Sequence, residues 1–565
     1  MASALSTFPP LLASPLARNS VALRSLPSFR ADVIVVGSGV AGLASAISAA
    51  DSGAHVMVLS KGRINQTNTY EAQGGIAAAV GDDDTPQQHA DDTYRLGYGL
   101  SDRKIVDEFT SAAPEAIEWL IESGMQFDCN ADKSFDLGRE AGHGVSRILH
   151  SAGTATGREM QRTLIARAKS HPRIDVYHAT VAIELLKDAE GAVRGLIAMT
   201  NIRSDSDFDT VVFEAPAIVF ATGGGGQLFR ETTNPQLATA DGLAMALRAG
   251  AELRDLEFVQ FHPTTLYVAG AARFLISEVT RGAGAKLLDK NGVAFMEDCH
   301  PDAELAPRDV VSRAIYRHMI ETHSRYVSLD LSSVSSPSTR FPALAKICRE
   351  FGIDIETETI PVRPAVHYLV GGIKSNLHGQ TTVPGLFAVG ECSSTGFHGA
   401  NRMGSNSLLE GLVHGRICGQ NISKYTTADR GWLSPGLTNT QPQTDAQLNL
   451  NDMTYSLKSL MWSEVGIERS AAGLEEAHEL LQDWESYLSR LAPFTPQGVE
   501  VINMVQVAQA IARCATFRTE SRGAHYRGDY PQSSEDWKVS TCVIADTHQF
   551  VIKSETNKWA VPKTV

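Results

Sequence analysis

Cysteine is scarce in this chain. Its 565 residues include seven, an odd number, scattered and without a CxxC pair. That usage fits a reducing compartment and offers no metal or iron–sulfur site. Long apolar runs are missing too. The longest, 33–50, is interrupted by Gly and Ser, so no segment reads as a membrane span. Basic charge is short: 50 Lys and Arg against 64 Asp and Glu leave a net charge of −14. Nucleic acid is thereby disfavoured as a partner, and an acidic substrate would have to be gathered by local cations. Residues 1–30 lack Asp and Glu altogether. They are rich in Ser, Ala, Leu and Pro and carry Arg18, Arg24 and Arg30. This is the composition of an organellar transit peptide, plastid in the first place and mitochondrial as the alternative; a disordered bacterial N-terminus reads alike. What remains is 43% hydrophobic and 20% charged, a globular mixture long enough for two to four domains.

The chain is organised around 32–43. Val33, Ile34, Val35 and Val36 run into Gly37-Ser38-Gly39-Val40-Ala41-Gly42, and a helix-prone Ala/Ser/Ile run follows. The pattern is a buried parallel strand, a tight turn and a helix start. Gly37 permits the turn, Gly39 lets a phosphate approach, and Gly42 lets helix and strand pack closely. The N–H groups of the helix start would hold a pyrophosphate. An ordinary strand–helix connection has the same pattern. The second strand, 55–59, ends in Ser60-Lys61 rather than the acid that holds an adenosine ribose. That counts against free NAD and leaves FAD open, with Lys61 touching the nucleotide.

Further along, 65–76 is a polar, then Gly-rich loop. Residues 112–123 have helical spacing. Residues 137–150 gather Arg139, Glu140, His143 and Arg147 among glycines. Two strands are expected within 174–198 around Glu190-Gly191, another strand from Ala217 into the Gly223–Gly226 cluster, and a helix over 234–249. Composition shifts over 256–360, which reads as an inserted domain. Strand chemistry returns at Gly385–Glu391, followed by a helix over 406–422. A Thr/Gln/Asn/Pro-rich linker occupies 434–452, and 453–514 is a run of amphipathic helices.

Seven motifs occur together: Gly37-x-Gly39-x-x-Gly42, Glu71-Ala-Gln-Gly-Gly-Ile76, Phe261-His262-Pro-Thr264, Ser277-Glu278-x-x-Arg281-Gly282, Pro307-Arg308-Asp309, His398-Gly-Ala-Asn-Arg402-x-Gly404-x-Asn406-Ser407-Leu408, and Glu520-Ser-Arg522-Gly-x-His525. With them the chain resembles the flavoprotein group of L-aspartate oxidase, succinate dehydrogenase and fumarate reductase. The resemblance spans Ala31 to about Pro531. It implies an α/β fold: a Rossmann-like FAD-binding domain (31–255 and 361–433) interrupted by an α+β capping domain (256–360). A helical C-terminal domain (453–531) and a tail (532–565) would follow the linker. Three features resemble the aspartate oxidase branch. Asn68 stands where a dehydrogenase has the His bonded covalently to FAD, which implies non-covalent FAD. The other two are the loop Arg139–His150 with Thr156–Glu159, and the segments around Met461–Ser470 and His525–Pro531. Ala141 departs from the family's usual Gly.

A dicarboxylate on an acidic protein needs cations and donors at fixed separation. Arg402 sits in a Gly/Asn loop that offers little packing, and its planar fork suits a carboxylate. His262 and His367 are lone histidines in mixed segments. The resemblance implies substrate-binding roles for all three. It implies proton transfer for Arg308 with Glu278 as partner, unless Arg308 only positions a carboxylate. It also implies orientation of a substrate ammonium by Glu140. FAD contacts are implied for Ser38, Val40 and Ala41 with the glycines, for Lys61, and for Asn68, Thr69, Tyr70, Glu71, Ala72, Gln73, Gly74 and Gly75. Thr180, Val181, Asp241, Glu391, Ser407 and Leu408 complete that set. The helix opened by Ser407 and Leu408 would turn its positive end to the flavin. The implied reaction is oxidation of L-aspartate to iminoaspartate with O2 or fumarate as acceptor. A quinolinate synthase acting next in NAD biosynthesis would be a functional partner. The competing expectation is a soluble fumarate reductase or a respiratory flavoprotein subunit.

Overall fold

The computed structural model describes residues 6–7, 26–269, 274–426, 448–491, 494–546 and 549–555. At its centre lies a parallel sheet ordered Leu386–Ala388, Ala217–Phe220, Val33–Val36, Val56–Leu59, Ile174–Tyr177. Val33–Val36 is the middle strand and is buried throughout, as a strand covered on both faces must be. Each such side chain stabilises the fold by roughly 1.5–3 kcal/mol. The helix Val40–Asp51 leaves the Gly turn and packs along Asn406–Thr426. Gly411, Gly415 and Gly419 form the contact ridge of the latter. A Cβ on Gly415 would stand 2.4 Å from Ala41 O, and one on Gly419 would stand 2.4 Å from Ser45 O.

Ile174–Tyr177 is not the first arm of a hairpin, as its position before Glu190-Gly191 led us to expect. It is the edge strand of the central sheet, and the hairpin is formed by Val181–Lys187 and Val193–Ser204. The helix expected from residue 234 begins only at Asp241. Asn234 is drawn off instead, its Nδ2 donating to His367 O at 3.0 Å. The expected transit segment reaches into the fold: Ser28–Arg30 pairs in parallel with Asp207–Glu214. Of the expected linker, 434–447 lies outside the described residues, and the helix Leu450–Ser463 starts within its last residues.

The cap is an antiparallel sheet ordered Val259–Leu266, Ile360–Leu369, Val327–Asp330, Lys286–Leu288, with the helices Arg308–Glu321 and Pro342–Glu350. Its first two strands run back to the central sheet and carry His262 and His367. The helices Leu450–Ser463, Ala471–Leu491 and Pro496–Phe517 follow. What reads as a tail forms the hairpin Ser540–Asp546 and Gln549–Glu555, which pairs with Leu253–Arg254. Among the described residues, no helix is long and apolar enough to cross a membrane.

Candidate active site

A cavity of about 260 Å³ runs from the Gly turn to the inner face of the cap. At the turn, Gly37 has φ +114°, and a Cβ there would lie 2.0 Å from Ala221 O. Only glycine fits such a contact. A Cβ on Gly42 would lie 2.1 Å from Gly37 O, so Gly42 serves helix–strand packing and does not line the cavity. A Cβ on Gly39 would meet only Thr69 Oγ1, at 3.2 Å, and Gly39 does line it. Thr69 Oγ1 also accepts from Val40 N at 3.0 Å, so that N–H of the expected cradle is already paired.

Ser38, Val40, Ala41, Lys61, Asn68, Thr69, Glu71, Ala72, Gln73, Gly74, Gly75, Thr180, Val181, Asp241, Glu391, Ser407 and Leu408 all line the cavity. Tyr70 does not; its ring lies under the Arg158 guanidinium, 5.5 Å from Cζ to the ring centre. Lys61 reaches the wall but is not free to serve a nucleotide. Its ammonium bonds Thr239 Oγ1 at 2.6 Å, Asp241 Oδ2 at 2.7 Å and Glu500 Oε1 at 2.6 Å, one acceptor for each N–H. The acid missing from the second strand thus comes from two other elements. Burial alone would raise the Asp241 carboxyl, but Lys61 outweighs it and holds the group below its ordinary value.

The residues present fit a group rich in hydroxyl and amide functions. Glu391 Oε2 accepts from Asn68 Nδ2 at 2.9 Å, and Glu391 Oε1 accepts from Leu369 N at 3.2 Å. The Oδ1 atoms of Asn68 and Asn234 are buried without a partner, and both residues line the cavity. A buried carbonyl left unpaired costs roughly 1–3 kcal/mol, which a bound donor removes.

The catalytic set expected from the sequence converges at the cap end. His262, Glu278, Arg308, His367 and Arg402 line one wall with Glu140. Arg308 sits at the first turn of its helix, and its Nε donates to Glu278 Oε1 at 2.5 Å. Burial would raise the Glu278 carboxyl, yet Arg308 and Arg281 hold it at about 2. Arg402 donates through Nη1 to Ser407 Oγ at 2.8 Å and lies 4.7 Å over the Tyr368 ring. Burial, then the nearby Arg308 charge, lowers its guanidinium to about 10. Two such cations side by side call for an anion between them. The His262 and His367 rings meet edge to face at 5.5 Å. Burial, and behind it the Arg charges, push both imidazoles well below their ordinary value, so both are neutral at pH 7. His367 Nδ1 pairs with Thr233 Oγ1 at 2.9 Å.

Glu140 is buried, and its Oε2 accepts from Ser405 Oγ at 2.9 Å. Burial, then the Glu278 charge, raises its carboxyl. Gly404 lies beside it: a Cβ there would stand 2.3 Å from Glu140 Oε2 and 3.3 Å from Arg308 Nη2. Ser405 follows in the left-handed region at φ +59°. Sequence reasoning missed Gln260. Its Oε1 accepts from Arg402 Nε at 3.1 Å and from Arg308 Nη1 at 3.3 Å, while its Nε2 donates to Arg402 O at 2.7 Å. One carboxamide therefore spaces the two guanidinium groups. Its place two residues before His262 on the same strand, hence on the same face, is the signal that could have found it.

Residues 32–408 match the FAD binding domain family, and 454–561 match the fumarate reductase flavoprotein C-terminal family. L-aspartate oxidase of Streptomyces coelicolor is 40% identical over 555 residues, 95% of this chain and 95% of that one. L-aspartate oxidase of Nostoc sp. is 41% identical over 554 residues, 91% of this chain and 93% of that one. The chain belongs to the L-aspartate oxidase family. FAD is therefore its cofactor, in agreement with the cradle above. The family likeness reaches solved fumarate reductases: an E. coli quinol fumarate reductase has a TM-score of 0.86 at 30% identity, over 96% of this chain and 99% of that one. Mycobacterium smegmatis Sdh1 has a TM-score of 0.81 at 32% identity, over 95% and 96%. In this aspartate oxidase family member Asn68 is engaged with Glu391, and an amide offers no nucleophile for a covalent flavin bond.

Proposed function

We propose that the chain oxidises L-aspartate to iminoaspartate with non-covalent FAD, as the first step of NAD biosynthesis through quinolinate. The observation that carries this reading is one cavity wall bearing two guanidinium groups, two neutral imidazoles and two carboxylates, of which Glu278 is paired with Arg308 and Glu140 is not. FAD, when bound, supplies the two-electron acceptor. Arg402 and Arg308 hold the two carboxylates, and charge-assisted bonds to planar forks fix the diacid in register. His262 and His367, being neutral, donate to carboxylate oxygens without adding charge. Glu140 faces the ammonium. An anionic Glu140 favours the amino acid over succinate, which has nothing to pair with it. Arg308 stays cationic through Glu278 and positions a carboxylate; the amine loses its proton before the Cα–H bond breaks.

Dioxygen, giving hydrogen peroxide, or fumarate takes up the electrons in this reading. Iminoaspartate is unstable, so a quinolinate synthase should consume it promptly. The acid-free N-terminal segment supports import into a plastid. Purified protein should form peroxide on adding aspartate alone, with no partner subunit. The fumarate reductase reading, favoured by the solved neighbours, predicts fumarate reduction but no aspartate-dependent peroxide, and that outcome would overturn ours.

A further inference from the structure

Glu140 lies on a loop between the two-residue strands Leu137–Gly138 and Ile148–Leu149, too little structure to hold a selective carboxylate. A buried chain of polar contacts does so. Arg147 is fully buried. Its Nε and Nη2 bond both oxygens of Asp84, at 2.8 and 2.9 Å, and its Nη1 bonds Asp92 Oδ2 at 2.7 Å. Asp92 lies on the helix Pro86–Leu96 and also accepts from Gly144 N at 2.7 Å, inside the loop. Arg147 Nη1 further donates to His143 Nδ1 at 3.2 Å, and His143 Nε2 meets Gly404 O at 3.0 Å. A carbonyl only accepts, so Nε2 carries the proton and Nδ1 is free to accept from Arg147. Gly404 precedes Ser405, whose hydroxyl binds Glu140.

We infer that His143, held by Arg147 and its two acids, is a positioning residue for substrate selection. It ties the Glu140 loop to the Gly404–Ser405 turn and so fixes the Glu140 carboxylate against the amino group of a dicarboxylic amino acid. The inference rests on the reading of Glu140 given above. A loosened loop costs the substrate that has an amine and spares the one that lacks it. General loosening of the cavity would cost both.

The test compares kcat/KM of the holoenzyme for aspartate oxidation and for fumarate reduction by a reduced dye. His143→Leu should lower the first at least tenfold and the second less than threefold. His143→Gln, which can still donate to Gly404 O and accept from Arg147, should restore most of the loss. Should His143→Leu fail to retain flavin, Ser405→Ala removes the last link, and the same aspartate-selective loss is expected. Equal losses on both substrates, or an unchanged ratio, overturn the inference. Glu140→Gln tells its failure from that of the underlying reading. An aspartate-selective loss there, with an even loss in the His143 variants, sinks the inference alone; an even loss in Glu140→Gln sinks both.

Discussion

At the scale of single residues, charge decides the site. Arg402 and Arg308 share the Gln260 carbonyl oxygen beside neutral imidazoles, Arg402 buried and Arg308 half-buried. Removing one guanidinium leaves a substrate carboxylate buried and unpaired, which costs about 4 kcal/mol, within the range for truncating one partner of a buried charge pair. Arg402→Leu should therefore lower kcat/KM for aspartate about a thousandfold. Its absorbance spectrum should still show bound flavin, because the Gly turn and the Asn68–Glu391 pair are untouched. Activity within tenfold of the parent would remove Arg402 from substrate binding. Arg402 was legible in the sequence because a Gly/Asn loop gave it nothing to pack on. Lys61 was legible only in part: its place on the strand end was readable, but its partners Asp241 and Glu500 come from 180 and more residues away, and no local pattern announces them. Tyr70 was misplaced because the four-residue helix Asn68–Glu71 turns its side chain off the cavity toward Arg158.

At the scale of elements, glycine spacing sets how closely the two long helices of the nucleotide-binding domain meet. Gly411, Gly415 and Gly419 recur every fourth residue, so they share one face of Asn406–Thr426. A methyl group at 415 would have to displace the Ala41 carbonyl from 2.4 Å, and that carbonyl belongs to the helix that opens the Gly turn. Gly415→Ala should destabilise the protein by about 1–3 kcal/mol, the usual cost of overpacking. It should also weaken FAD retention, read as a lower Tm together with a lower flavin-to-protein ratio after gel filtration. A variant with parental Tm and full flavin would refute the contact. The parallel strands could be read from runs of β-branched residues. The late start of Asp241–Arg248 could not, because helical propensity at 234–240 loses to the tertiary bond between Asn234 and the His367 carbonyl.

For the whole molecule, acid is the condition to watch. Burial lowers His89 to about 3 and both His143 and His414 to about 4, against 6.5 when unfolded. A base with a depressed folded pKa contributes stability above its unfolded value, and that stability is lost as pH falls from 6.5 towards 4. At full protonation these shifts correspond to at most about 5 kcal/mol for His89 and about 3 kcal/mol for each of the other two, and all three sit in the same FAD-binding half. Tm of the holoenzyme should hold near pH 7.5 and fall steeply between pH 6.5 and 4; a flat profile across that window would show that these histidines are not buried neutral. The composition shift over 256–360 overlaps most of the strands of the capping sheet, whereas the closure of the chain on itself left no mark in the sequence. Pairing of Leu253–Arg254 with Ser540–Asp546 joins strands that share no sequence signal.

Glu500 stands on Pro496–Phe517 and closes the ammonium of Lys61, which stands just past the second strand. The first nucleotide-facing unit to leave the ribosome therefore waits for one of the last helices to be made. Until that helix is made, the Lys61 ammonium has Asp241 and Thr239 but lacks its third acceptor. The wall of the cofactor cleft around Lys61 is complete only once the chain has been made almost to its end.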